Sequence, residues 1–343
     1  ELRVGNPDME ITLLVATGCH RGTTADELKE KLGEDIAANE KIVVHDCAAS
    51  PLSDLGELPS GARLVVNSLV KEADLVAAEG FIEPHFFAGF SGGRKSILPG
   101  VCSRTTVLGN HCSEFIDHDL ARMGILEGNP INRDMEAAAR MAGLDYIVNV
   151  VINEEKQIVA AFAGEPLKAH RAGCGYLAGY CTVRVDRPGD IVITSNGGAP
   201  LDQNVYQAVK GITAADLAAA KGAVIIMCAE CADGIGGEAF YQALRGCENV
   251  SALLDKIRQT PMEKTVPDQW QYQILARIME RHRIIFVTEQ KLRSEITDMK
   301  FEYADTLEHA FARAKEIKGK DAAVTVIPNG VSIVIENGFG GRK

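Results

Sequence analysis

The sequence predicts an α/β protein with two α/β domains, mostly parallel sheets and an inter-domain cleft that holds the active site. Strand-like apolar segments alternate with helical patterns along all 343 residues, a length that suffices for two domains with separate cores. The strand segments are rich in Val, Ile and Leu without clean alternation, which is typical of sheets buried on both faces. Ligands of such folds bind beyond the carboxyl ends of the strands.

The first half of the chain is predicted to repeat strand-then-helix units. Thr24 and Glu27 have the spacing of a capping box, so a helix is expected to begin at Thr24. The other predicted elements are strands at 11–16, 41–47, 63–69, 75–79 and 144–152 and helices at 133–142 and 166–181. We therefore predict a first, cofactor-binding domain over residues 1–186, followed by a connection at 186–190.

The second half starts a new α/β domain, predicted over residues 187–328. The loop SNGGAPLD leads into a short helix, for which Asp202 is the expected N-cap and Gly211 the expected stop. The predicted elements are strands at 190–194, 223–228, 284–288 and 323–328 and helices at 203–210, 237–245, 268–281 and 306–317. Residues 329–343 form a C-terminal segment for which a return to the first domain is one option.

Composition and charge exclude several classes of partner. The apolar fraction of 46% and charged fraction of 24% are those of a globular protein. No apolar run is long enough to span a bilayer, and no segment has the pattern of a secretory signal. The net charge of −11 repels nucleic acid and anionic lipid, so neither is expected as a partner.

Nine cysteines, an odd number without framework spacing, indicate a reducing cytoplasm. Cys228 and Cys231 form a CxxC that follows an apolar strand and lacks a second pair at zinc-finger spacing. Structural thiols are the favoured interpretation, and a redox or metal role stays open.

Three histidines and one lysine stand out in glycine-rich or strand-following loops. His20 lies in TGCHRG, His85 in EPHFF, Lys95 in SGGRKS and His111 in LGNHCSEF. An amine beside glycine N–H groups can hold an anion or a covalent cofactor, and imidazoles bind metals or move protons. The alternatives are hydrogen-bonded structural histidines and a solvated lysine.

A second group of candidates lies on two helices of the predicted second domain. Tyr206, Gln207 and Lys210 share one helix face at i,i+3 and i,i+4 spacing, which suits recognition of a small carboxylate. Trp270, the only tryptophan, opens the predicted helix at 268–281 and can wall a pocket or fill a core. For Tyr206, Gln207 and Lys210 the alternative is an ordinary solvated helix face.

Five segments resemble the nickel-pincer lactate racemase family over nearly the full chain. They are ATGCHRG, IEPHFFAGFSGGRKSILPG, GNH, GNPINRDMEAAA and GGAPLDQNVYQAVKGI, of which the second and fifth are long and specific.

The resemblance implies a cofactor, pyridinium-3,5-bisthiocarboxylic acid mononucleotide, bound to a lysine through a thioamide. Its ring carbon and two sulfurs hold nickel together with a histidine, and imidazole in a planar four-coordinate site suits Ni(II). By motif position the tether is Lys95 and the nickel ligand is His111, with Ser91, Gly92 and Gly93 in the cofactor loop. Cofactor-synthesis enzymes are the implied partners.

The implied reaction is racemisation or epimerisation of a small 2-hydroxy acid. One histidine takes the hydroxyl proton while hydride leaves C2 for the cofactor, and a bound 2-keto acid results. Hydride then returns to the other face and the second histidine returns a proton. The resemblance assigns these acid/base roles to His20 and His85, and the substrate pocket to Tyr206, Gln207, Lys210 and Trp270.

One departure from the family concerns the amino-terminal side. The resemblance implies a further substrate-binding arginine, with an aspartate nearby, in a segment upstream of ATGCHRG. No such segment precedes Ile11, and the chain starts at Glu1 rather than Met. We therefore expect a fragment or processed chain whose carboxylate-binding set is incomplete.

Three other functions are alternatives to a racemase. A nicotinamide-dependent 2-hydroxy-acid dehydrogenase is disfavoured because no GxGxxG opens a helix after a strand. A non-catalytic metal- or ligand-binding relative remains an alternative because of the missing segment. A zinc hydrolase is least favoured, since the chain has no HExxH.

Overall fold

The computed structural model describes residues 2–338 and divides the chain into two compact units. The first contains the chain up to Phe81, Gly92–Asn110 and Arg133–Ala172, and the second contains Ile82–Ser91, His111–Asn132 and the chain from Gly173 onward. Each unit thus combines separate stretches, whereas the sequence suggested contiguous domains; the boundaries at residues 186 and 328 stay predictions.

The strands of the described residues are β1 Thr12–Val15, β2 Lys41–Val44, β3 Leu52–Glu57, β4 Arg63–Asn67, β5 Val76–Phe81, β6 Pro84–His85, β7 Gly89–Phe90, β8 Leu144–Ile152, β9 Ile158–Gly164, β10 Thr182–Val185, β11 Gly189–Ser195, β12 Ala219–Cys228, β13 Arg283–Val287, β14 Glu302–Ala304, β15 Val324–Ile327 and β16 Val334–Asn337. The helices are α1 Leu2–Gly5, α2 Ala25–Leu32, α3 Glu34–Asn39, α4 Ser68–Glu72, α5 Arg104–Asn110, α6 Ser113–Asp117, α7 Pro130–Met141, α8 Pro166–Cys181, α9 Val205–Ala218, α10 Glu238–Gly246, α11 Val250–Arg258, α12 Gln269–Arg281, α13 Arg293–Asp298 and α14 Leu307–Lys318. Short 3₁₀ helices lie at Gly93–Ser96, Met262–Lys264 and Gln290–Leu292.

The first unit contains several small sheets. β1 and β2 form a parallel pair, β3 and β4 an antiparallel pair, and β5, β8 and β9 a mixed three-stranded sheet. The antiparallel pairs, which the sequence analysis did not predict, follow from short connections, because two strands joined by a tight turn lie antiparallel. Asn153 N–H donates to the Gln157 carbonyl at 3.0 Å in the turn before β9.

The second unit is built on a five-stranded parallel sheet in the order β14-β13-β12-β11-β15. Ile191, Val224 and Ile226 on its central strands are fully buried and pack with Ala310 and Ala314 of α14. Together with the parallel pairs of the first unit, this sheet confirms the predicted α/β class with mainly parallel sheets. Burial of each such isoleucine contributes about 1.5–3 kcal/mol.

Local helix signals are confirmed in one helix and wrong in another. Thr24 caps α2 in a full capping box with Glu27, as predicted. α9, predicted over 203–210, runs from Val205 to Ala218, with Asn204 rather than Asp202 as its N-cap. The Asp202 carboxylate instead accepts the Glu230 N–H at 3.2 Å.

The predicted stop at Gly211 was wrong because this glycine serves packing inside α9. Its N–H donates to Asn196 Oδ1 at 3.0 Å, and a Cβ at this position would lie 2.5 Å from the same oxygen. Helix α9 therefore passes close to the loop after β11. Among residues 2–338, none of the helices combines the length and apolarity that crossing a membrane requires.

Candidate active site

Lys95 lies in the first unit, on a turn whose backbone is fixed by its neighbours. The 3₁₀ helix Gly93–Ser96 contains it, and Gly93 has a φ of +52°. A Cβ on Gly93 would lie 2.8 Å from the His170 ring, so only glycine fits without displacement. The Gly93 N–H donates to Asn149 Oδ1 at 2.7 Å. The half-buried lysine therefore extends from a rigid turn rather than from a flexible loop.

Arg94, which the sequence analysis did not single out, anchors the same turn. It is fully buried, and its guanidinium donates to the Gly92 carbonyl at 3.3 Å and to His170 Nε2 at 3.0 Å. Because arginine can only donate, His170 must accept with Nε2 and carry its proton on Nδ1. This pair ties α8 to the lysine turn. In the sequence, Arg94 is marked only by its adjacency to Lys95, and His170 only by its place in a helical pattern.

His20 also belongs to the first unit, in the loop after β1. The loop is joined to the lysine turn through main-chain hydrogen bonds: Gly18 N–H donates to the Gly100 carbonyl at 2.9 Å, and Gly100 N–H donates to the Lys95 carbonyl at 3.1 Å. His20 itself is exposed to solvent. The structure thus brings the loop of His20 and the turn of Lys95 together within this unit.

The second unit contains a row of four rings that includes three of the candidate residues. His85 packs edge-on to Phe87 with ring centroids 4.6 Å apart, and Phe87 packs edge-on to His111 at 5.0 Å. His111 in turn lies 5.0 Å from the ring of Trp270, again edge to face. We call His85, Phe87, His111 and Trp270 the aromatic row.

The two imidazoles of the aromatic row have different environments. His111 is only 4% exposed, so its ring is held by packing on both sides. His85 is half-buried, and its Nδ1 accepts the Ala88 N–H at 3.3 Å. That contact favours the neutral tautomer of His85 with its proton on Nε2. Within residues 2–338, no group of three or more His, Cys, Asp and Glu side chains is placed to hold a metal ion.

The start of α9 contributes the remaining candidates to the second unit. Tyr206 packs on Phe240 at 5.4 Å, and its carbonyl accepts Gln271 Nε2 at 2.5 Å. This bond links α9 to the first turn of α12, next to Trp270. Gln207 is half-buried, and its carbonyl accepts Asn196 Nδ2 at 2.8 Å.

Lys210 lies in a shielded position close to the loop that contains His85. Burial lowers the pKa of its ammonium below the usual value, while the Glu83 carboxylate acts in the opposite direction. Glu83 lies two residues before His85, so the carboxylate that acts on Lys210 belongs to the loop that contains His85. The structure therefore gathers His85, His111, Lys210 and Trp270 within the second unit.

Ser91 directly follows β7 and is hydrogen-bonded to Glu83, the residue that precedes β6. Its hydroxyl oxygen accepts the Glu83 N–H at 2.9 Å, and its own N–H donates to the Glu83 carbonyl at 2.9 Å. These bonds give the serine a structural role, and its predicted contact with a cofactor stays a prediction.

Sequence reasoning missed the amides that hold these elements in place. The buried Asn196 bridges the loop after β11 to α9 through two hydrogen bonds and donates a third to the Leu201 carbonyl within the loop. Gln273 donates from α12 to the Ser113 carbonyl at 2.9 Å, and Arg277 donates to the Ile116 carbonyl at 2.8 Å. Asn196 had one available signal, its place directly after a strand; the α12 residues had only their polarity on an amphipathic helix.

Family models and relatives agree on one family. Residues 1–124 match the lactate racemase N-terminal domain, and residues 185–335 match the lactate racemase C-terminal domain. The lactate racemase of Thermoanaerobacterium thermosaccharolyticum is 52% identical over 336 residues, which are 98% of this chain and 79% of that protein. The lactate racemase of Lactiplantibacillus plantarum is 48% identical over 337 residues, with the same coverage of 98% and 79%.

Solved structures give the same result. The lactate racemase apoprotein from T. thermosaccharolyticum superposes with a TM-score of 0.96 at 51% identity, covering 98% of this chain and 80% of that one. A Thermotoga maritima protein shares the fold alone, with a TM-score of 0.68 at 21% identity over 96% of this chain and 86% of that one. From these matches, the chain belongs to the lactate racemase family, a family of isomerases.

Proposed function

We propose that this protein racemises a small 2-hydroxy acid of the lactate type with a lysine-tethered nickel-pincer nucleotide. The observation that carries the proposal is the aromatic row together with Lys210: the buried imidazole of His111, the half-buried imidazole of His85 and an ammonium group lie within one unit. Relatives about 50% identical carry the name lactate racemase.

The residues present fit the nickel-pincer nucleotide. The imidazole of His111 is a nitrogen ligand that suits nickel, and the rings of Phe87 and Trp270 fix its orientation. The primary amine of Lys95, on a turn that only glycine at position 93 permits, supports a covalent attachment in a defined direction. When bound, the nucleotide supplies an acceptor and donor for the C2 hydride of the substrate.

Two histidines are proposed to move the proton of the substrate hydroxyl. A racemase needs a base for each enantiomer, and His20 and His85 are the two candidates. With Nδ1 accepting the Ala88 N–H, neutral His85 has its proton on Nε2, which can donate a hydrogen bond to the C2 oxygen. Taking the hydroxyl proton at Nε2 requires the other neutral tautomer, and the imidazolium formed in this way is the species that returns a proton.

The ammonium of Lys210 is proposed to bind the substrate carboxylate. Partial burial strengthens such an ion pair because less water screens it. Tyr206, Gln207 and Trp270 would then surround the rest of a small acid. The free state of all nine cysteines supports a reducing, cytoplasmic environment for this chemistry.

The test is mass spectrometry of the chain produced together with cofactor-synthesis enzymes, combined with a racemisation assay on L- and D-lactate. We expect an added mass on a peptide containing Lys95 and interconversion of the two enantiomers. Lys95→Ala should abolish both, while Lys168→Ala, an exposed lysine on α8, should change neither. Full activity with an unmodified Lys95 would end the tether proposal, and tethering without turnover on any 2-hydroxy acid would end the racemase proposal.

A further inference from the structure

The second unit has a cavity at the amino-terminal ends of strands β13 and β14 of its five-stranded sheet. The loop that leads into α9 lies at the opposite, carboxyl-terminal end of the strands. Arg283 and Ile284 line it from the start of β13, and Glu302 and Tyr303 from the start of β14. The volume is about 710 Å³, within the range of small-molecule sites. The Tyr206 end of α9 follows the carboxyl end of β11 instead, so the cavity is distinct from the proposed racemase residues.

The lining of this cavity is cationic in a protein of net charge −11. It contains four cations, Arg281, Arg283, Arg293 and Lys300, against the carboxylates Glu280 and Glu302. Glu280 accepts a hydrogen bond from the Ser251 hydroxyl at 2.9 Å.

Part of this positive charge is used within the protein. Arg281 donates to Asp216 at 2.8 Å and stands in the last turn of α12, where the helix dipole is negative. Glu302 is 3.7 Å from Arg283 and accepts a shorter bond, 2.6 Å, from Arg313 Nε, which lies outside the lining. Arg283 is therefore incompletely neutralised.

Arg293 and Lys300 are the most available cations. Both are exposed, and no carboxylate pairs with either among the ion pairs of residues 2–338. The Arg293 guanidinium lies 5.6 Å from the centre of the Tyr303 ring, and Lys300 Nζ donates to the Arg245 carbonyl at 3.3 Å. Together with Arg283, they place three positively charged groups in the lining of this cavity.

Three cations around a cavity of this size suit a compact anion with about three negative charges. Guanidinium groups bind phosphate oxygens in a fork geometry, and a lysine adds a point charge. We propose that this cavity binds a small molecule bearing a diphosphate group, at a site separate from the lactate-type chemistry.

The probe is inorganic pyrophosphate, titrated into the full chain by calorimetry at low salt. We expect saturable binding that weakens as NaCl is added, because exposed ion pairs are screened. Lys300→Gln and Arg293→Gln should each weaken binding about fivefold, and the double variant about 25-fold if the sites are independent. Lys320→Gln removes an exposed lysine outside the lining and should leave the affinity unchanged.

Citrate, which carries a similar charge on carboxylates, separates phosphate recognition from general anion attraction. Weaker binding of citrate than of pyrophosphate supports the proposal, and equal binding overturns the diphosphate assignment. Absence of pyrophosphate binding, or equal affinities for all variants, overturns the site itself. Because the measurement needs no turnover, it is independent of the outcome for racemase activity.

Discussion

The two compact units hold their candidate side chains by different means. In the first, short loops are fixed by main-chain hydrogen bonds and a glycine turn, as at Gly18, Gly93 and Gly100. In the second, rings from distant parts of the sequence pack against each other, as His111 does with Phe87 and Trp270. Backbone-defined sites depend on a few local residues, whereas packed sites depend on the whole unit that brings their rings together.

The largest effect is expected from substitution of the two proposed acid/base histidines, one in each unit. His20→Gln and His85→Gln should each lower kcat for lactate racemisation by about 10²-fold or more, because each removes one proton-transfer partner. Circular dichroism should show folded variants, since His20 is exposed and His85 half-buried. His309→Gln, an exposed histidine on α14, is the control and should retain full activity. Unchanged activity of His20→Gln would restrict proton transfer to the second unit.

The rigidity of the lysine turn is the next test. Gly93→Ala should destabilise the protein by about 2–3 kcal/mol, because a left-handed backbone costs an alanine about 1–2 kcal/mol and the new Cβ would meet His170 at 2.8 Å. Gly175→Ala in α8, where nothing lies within 4 Å of the added Cβ, should instead stabilise it by about 0.5–1 kcal/mol. Denaturant unfolding followed by circular dichroism measures both. A neutral Gly93→Ala would mean that the turn is adaptable.

The same contrast explains which parts of the molecule the sequence could predict. The capping box at Thr24, α8 and four strands of the five-stranded sheet have strong local patterns, and the structure has them within a few residues of their predicted bounds. The fifth strand, the three-residue edge strand β14, was not predicted. The end of α9 was mispredicted because Gly211 does not end the helix. A glycine is needed there because Asn196, from the loop after β11, lies too close for a side chain. The antiparallel strand β9 was missed because its half-exposed residues lack a buried-strand pattern.

Predictability of the candidate site follows the same division. The motifs around His20, Lys95 and His111 identified these residues through family resemblance, and their roles remain predictions. The ring packing of His111 on Trp270 could not be derived from spacing, because it depends on how α12 packs on α6. Arg94 was overlooked because a buried arginine is recognisable only when its acceptors, here Gly92 and His170, are known.

A smaller effect is expected from Lys210, the proposed carboxylate-binding lysine of the second unit. Lys210→Gln should raise KM about tenfold and leave kcat nearly unchanged, because it removes one charged contact to the substrate. In the parent protein, KM should rise with pH as Lys210 loses its proton, and this rise should begin below the usual lysine range because burial lowers its pKa. Glu83→Gln should move the rise to still lower pH, since Glu83 raises that pKa.

The control for this pH profile is Lys221→Gln, which removes an exposed lysine of the same unit and should leave KM and its pH dependence unchanged. A KM that does not vary between neutral and alkaline pH would contradict carboxylate binding by Lys210.

The smallest effect concerns the outer ring of the aromatic row. Trp270→Phe keeps an aromatic edge near His111 and should lower kcat only about 2–5-fold, whereas Trp270→Ala should lower it about 10-fold, since an aromatic pair contributes about 0.5–1.5 kcal/mol beyond its buried area. Because Trp270 is the only tryptophan, its fluorescence reports on this position alone. Loading with the nickel-pincer nucleotide should quench that emission, and His111→Ala should weaken the quenching by removing the proposed nickel ligand. Equal quenching in His111→Ala would show that the metal does not depend on His111, and the packed row would then serve only the stability of the second unit.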